Sequence, residues 1–75
     1  MLDVDDALIF IDAAREELRP VLGVESFRVT ETTRRPMMDH ILDMSVGDLP
    51  ADSWAEARLF LEQRRHLGFM FEIVV

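Results

Sequence analysis

Met37-Met38-Asp39-His40-Ile41-Leu42-Asp43-Met44-Ser45-Val46 is the stretch whose reading decides the fold. Its methionines and leucine suit a helix, which is the competing reading. Met38, His40, Leu42, Met44 and Val46 nevertheless alternate with Asp39, Asp43 and Ser45, interrupted by Ile41. No apolar i, i+3, i+4 stripe runs through the segment. The pattern predicts a half-buried antiparallel strand over 37–46.

Upstream, Thr33-Arg34-Arg35-Pro36 reads as a turn. It follows a strand over 24–32, in which Phe27 and Val29 oppose Arg28, Thr30 and Thr32. Before that strand, Val4, Ala7, Leu8, Ile11, Ala14, Leu18 and Leu22 recur at helical spacing. They predict a helix from Asp3 to Arg19, with Leu22 its outer limit. Asp3 can cap it, Asp5 and Asp6 suit its positive end, and Gly23 is the expected residue after its end.

Downstream, 47–52 reads as a loop. Ser53-Trp54-Ala55-Glu56 has the form of a capping box. The second helix is expected over 53–67, with Trp54, Ala57, Phe60, Leu61 and Leu67 inward and Gly68 ending it. Phe69 to Val75 is apolar except for Glu72, which suits a strand in the interior of a sheet.

The expected fold is therefore α+β in the order α-β-β-α-β. Two helices pack on one face of a three-stranded, mainly antiparallel sheet. The order resembles the β-α-β-β-α-β ferredoxin-like pattern without its first strand. That resemblance is one of element order and is carried by no motif. In the full pattern the missing strand is central, between the last strand and the second strand of the hairpin. Its absence implies a gap, closed by a different strand order or by another molecule.

The chain has 75 residues, 15 acidic and 8 basic, for a net charge of −7. That is room for one domain, 1–75, whose core alone seldom supplies more than about 3–5 kcal/mol of net stability. Cysteine is absent, which excludes disulfides and thiolate metal sites. No apolar run approaches the roughly 20 residues that span a bilayer, and the acidic start does not fit a signal peptide. The expected location is the cytoplasm, with no membrane contact. Net acidity opposes binding to duplex DNA, so no nucleic-acid partner is expected.

Catalytic chemistry is not legible. His40 and His66 are the only histidines. On a strand His40 faces away from Asp39 and Asp43, so no metal site is expected. Ser53 reads as a cap, and Ser26 and Ser45 lack a nucleophile context. Gly23, Gly47 and Gly68 each close an element, and none forms a phosphate cradle. The expectation is a protein without cofactor, metal or catalytic residues.

What remains is surface. Ile9 falls opposite the core stripe of the first helix, among Asp5, Asp12 and Glu16, and Leu59 falls outside the inner face of the second. Arg34 and Arg35 mark the hairpin tip, where guanidinium forks suit carboxylates. These seven residues are the candidate partner-binding positions. They favour a non-enzymatic protein-interaction module, a small accessory, adaptor or inhibitor that also forms a homodimer. The alternatives are a structural subunit of a homo-oligomer and, more weakly, two others. One is a ligand binder using Arg28, Asp39 and Asp43 on the sheet face away from the helices. The other is a nucleic-acid mimic using the acidic row.

Overall fold

The computed structural model describes residues 1–45 and 52–75. It has the α-β-β-α-β order: α1 (Val4–Glu16), β1 (Gly23–Val29), β2 (Arg34–Asp43), α2 (Ser53–Gln63) and β3 (Met70–Val74), with a 3₁₀ turn at Arg65–Leu67. The sheet is antiparallel throughout, in the order β2-β1-β3. Both helices and the sheet contribute to one core, which includes Leu8, Ile11, Val24, Leu61 and Phe71. The expected α+β architecture is thus present. Of the two ways to close the gap in the ferredoxin-like pattern, the chain uses strand order. β3 lies against β1 instead of beyond β2.

α1 begins where expected, with the Asp3 carboxylate accepting from the Asp6 N–H at 2.8 Å. It ends earlier than the apolar periodicity suggests. Leu18, not Gly23, takes the left-handed conformation after the helix, at φ 57°. The Leu18 N–H donates to the Arg15 carbonyl at 3.0 Å and the Arg19 N–H to the Ala14 carbonyl at 2.8 Å. That pair of bonds is a Schellman closure, which usually has glycine where Leu18 stands. Pro20 then prevents the helix from resuming. Leu18 is 78% exposed, so it gains little from burial. Leu18→Gly is expected to relieve about 1–2 kcal/mol of left-handed strain and to lose part of that gain to backbone entropy. A melting curve should rise by a few degrees. A fall would show that the leucine side chain contributes contacts the exposure hides.

The hairpin turn lies three residues before its expected place. It is built by threonines: the Thr30 N–H donates to the Thr33 carbonyl, and the two hydroxyls lie 2.7 Å apart. Arg34, Arg35 and Pro36 belong to β2. Proline is tolerated there because β2 is an edge strand.

β2 does not keep the strict alternation. Pairing runs from Glu25↔Ile41 to Phe27↔Pro36, so Ser26 alone faces Met37, Met38, Asp39 and His40. This bulge turns Met37 onto the core and leaves Met38 73% exposed. Leu42 and Met44 point inward as expected, while Val46 and the loop from Gly47 to Ala51 lie outside the described residues.

In β1 the core face is carried by Val24 and Ser26. Phe27 is buried as well but lies outside the core cluster. Its ring lies 5.4 Å from the Arg34 guanidinium.

α2 is capped by Asp52, whose carboxylate accepts from the Ala55 N–H at 2.9 Å. Ser53 is therefore not the cap. Its buried hydroxyl accepts from the Val21 N–H at 2.9 Å. The helix stops at Gln63, before the expected Leu67, and Gly68 closes the following turn at φ 70°. β3 is not interior. It is an edge strand whose outer side pairs, among the described residues, only with Leu2, opposite Phe71.

Candidate functional site

α1 and α2 lie side by side and antiparallel, which two ion pairs make explicit. Asp5 bonds Arg65 and Asp12 bonds Arg58, each at 2.8 Å. Asp5 and Asp12 are two turns apart on α1, while Arg58 lies in α2 and Arg65 in the 3₁₀ turn that follows it. Arg65 also holds Glu62 at 3.1 Å. Its hydrogen bonds to the accepting carboxylates of Glu62 and then Asp5 raise its pKa above the ordinary arginine value. Two of the three carboxylates expected to face a partner are thus engaged within the molecule. Glu16 is exposed.

Ile9 stands on that outer surface at 66% exposure and Leu59 at 55%. Both point where helical spacing places them, away from the core. At the hairpin, Arg34 is drawn back over the sheet, with Phe27 under its guanidinium and Glu72 at 3.8 Å. Arg35 is exposed. The seven candidate positions therefore do not form one patch. The helical layer holds five of them, and the two arginines lie at the start of β2.

Arg28, Asp39 and Asp43 do not converge either. Arg28 lies 5.3 Å from the ring of Phe69, a core residue, and so is on the helix side of the sheet. Asp43 is at the far end of β2, opposite Gly23. Its carboxylate accepts from the Ser45 hydroxyl at 2.6 Å and the Ser45 N–H at 3.0 Å, which lowers its pKa. His40 is turned to α2, where its Nδ1 accepts from Arg64 Nε at 3.2 Å.

A further surface lies at the outer side of β3. Met1, Leu2, Phe10, Phe71, Glu72, Ile73 and Val74 line a groove of about 350 Å³ there. Met1, Phe10, Val74 and Val75 are each about two-fifths exposed. The Leu2 N–H donates to the Phe71 carbonyl at 2.8 Å, and the Phe71 N–H donates back at 2.7 Å. Phe71 thus turns its backbone outward, and by the two-residue repeat Ile73 does the same. Among the described residues, no strand meets Ile73 on that side. The one signal for this site in the sequence was a run of apolar residues on both faces of the last strand.

No helix of the described residues is long and apolar enough to cross a membrane. No protein-family model, curated protein or solved structure matches the chain.

Proposed function

We propose that the chain is a non-enzymatic protein-interaction module that docks through the outer edge of β3 and the adjoining side of α1, with a second copy of itself as partner. The observation that carries this reading is the open, apolar edge beyond Leu2. Natural sheets blunt their edges with lysine, proline, bulges or a covering element. Here Glu72, 3.8 Å from Arg34, is the one charged side chain of β3, while Phe71, Ile73 and Val75 carry no charge and Phe10 and Met1 extend the apolar surface onto α1 and the N-terminus. Antiparallel pairing of β3 with its own copy is self-complementary, so a two-fold axis closes the assembly. Each new main-chain bond occupies a group that is otherwise left to water.

Charge sets the sign of the salt response. Two copies at −7 each repel, so added salt should tighten a homodimer held by apolar contact and backbone pairing. A basic partner held by the acidic row would respond in the opposite sense. Ile9 and Leu59 belong to the outer helical face, which supports a second contact with a protein partner. Burying Ile9 there would contribute about 1.5–3 kcal/mol.

Sedimentation velocity across a wide concentration range tests the reading. The expected result is a dimer that strengthens with salt. Val75→Asp is expected to weaken it by at least about tenfold, roughly 1.4 kcal/mol. Ile9→Asp is expected to leave the melting temperature nearly unchanged and to reduce capture of a partner. A monomer at every concentration removes the homodimer. Dimerisation indifferent to Val75→Asp moves the interface away from β3.

A further inference from the structure

Arg64 is the C-cap residue of α2, and its side chain is held in three ways. Nη1 donates to the Phe60 carbonyl at 3.1 Å, the guanidinium stacks 3.7 Å from the Phe60 ring centroid, and Nε donates to His40 Nδ1 at 3.2 Å. Nδ1 accepts from Arg64, so the other ring nitrogen, Nε2, is the one left to donate. That imidazole lies 5.0 Å from the Phe69 ring, and the Arg28 guanidinium lies 5.3 Å from the same ring. His40 shares the inner face of β2 with Leu42, which puts it within reach of α2.

Acidic residues outnumber arginines 15 to 8. Arg19, Arg34, Arg58 and Arg65 each have a carboxylate within 4.0 Å. Among the described residues, Arg15, Arg28, Arg35 and Arg64 have none, and of these four Arg28 and Arg64 lie on aromatic rings. Capping of α2 accounts for the bond from Arg64 to Phe60. It accounts neither for Arg28 nor for the histidine at Nε. After the bonds given above, the groups left to act are Arg64 Nη2, the Arg28 guanidinium and His40 Nε2–H. All are donors, set on an apolar floor made by Phe60 and Phe69. Donors without acceptors select an oxoanion, and guanidinium forks match its paired oxygens.

We propose that Arg28, His40 and Arg64 form a subsite for an oxoanion, either a phosphate monoester or a carboxylate. The proposal does not depend on the docking edge, because Phe69 precedes β3 and Ile73 lies toward the strand's other end.

The test is an NMR titration of the full ¹⁵N-labelled chain at fixed neutral pH. Sodium phosphate and sodium acetate are added in separate arms, and sodium chloride at matched ionic strength is the reference. The expected result is a saturable shift of the His40 ring and Arg64 Nε signals that chloride does not reproduce. Saturation by phosphate alone assigns a phosphoryl ligand, and saturation by acetate alone or by both admits a carboxylate. Arg28→Gln removes an exposed side chain, so the fold should persist, and binding should weaken by at least about tenfold, the loss of one charge-assisted contact. Arg64→Gln should abolish the response, while Arg35→Gln, elsewhere on the surface, should leave it intact. Shifts no larger than those from chloride overturn the proposal, as does saturation that survives Arg28→Gln unchanged.

Discussion

Phe71→Ala is expected to abolish cooperative folding at room temperature. Phe71 is the largest side chain with no exposed surface, and it lies where three things meet. Its ring fills the core, it stands opposite Ser26 of β1, and its backbone N–H and carbonyl both bond Leu2. Truncating a buried phenylalanine to alanine costs about 3–5 kcal/mol, because the lost transfer energy is joined by a cavity that closes only in part. A core of this size supplies about the same amount in total. The loss therefore matches the whole stability instead of a fraction of it. Urea denaturation followed by far-ultraviolet circular dichroism should show a sloping, non-cooperative signal. A sharp transition within about 1 kcal/mol of the parent would mean that the helices hold together without β3.

The order of elements was legible because each one carries a period. Val4, Leu8, Ile11 and Leu18 repeat with the helix, and the alternation around Leu42 and Met44 repeats with the strand. The ends were not legible, because they depend on single backbone bonds. Nothing in composition marks Leu18 as the residue that turns left-handed, since glycine is the usual choice and Gly23 stood ready five residues on. Glycine is needed at position 23 for another reason. A Cβ there would lie 2.7 Å from the Leu42 carbonyl oxygen. Likewise, Arg34-Arg35-Pro36 looked like a turn because proline forbids a central strand. The sheet order makes β2 an edge, where proline is allowed.

Surface positions divided in the same way. The outward placement of Ile9 and Leu59 follows from helical angle alone, so it could be read without coordinates. The pairing of Asp5 with Arg65 and of Asp12 with Arg58 could not, because it depends on how the two helices lie against each other. The cluster of Arg28, His40 and Arg64 was hidden for a third reason. Alternation already puts His40 on the face of Leu42 and Met44, but that Arg28 shares the helix side, and that Arg64 stands over His40, depend on how β1 and α2 lie in the fold.

Ser53→Ala is expected to cost about 1–3 kcal/mol, the penalty for leaving a buried donor without its acceptor. Val21 has no exposed surface, and its N–H donates to the Ser53 hydroxyl across the 32 residues that separate them. The neighbouring Trp54 Nε1 donates to the Arg19 carbonyl at 2.8 Å. The start of α2 therefore grips the connection between α1 and β1 at two adjacent points, and this connection contains the strained Leu18. Trp54→Phe should cost less at its bond, because the Arg19 carbonyl is on an exposed residue where water can replace the indole. Asp52→Ala should cost about 0.5–2 kcal/mol, as loss of a helix cap does. The capping-box reading of Ser53 makes a different forecast: a cap-sized loss at Ser53 and almost none at Asp52. Urea midpoints for the variants separate the two. Hydrogen exchange at the Val21 amide adds a local readout, since protection there should collapse in Ser53→Ala and persist in Asp52→Ala. A Val21 amide that stays protected without the Ser53 hydroxyl would show that α2 does not hold the connector.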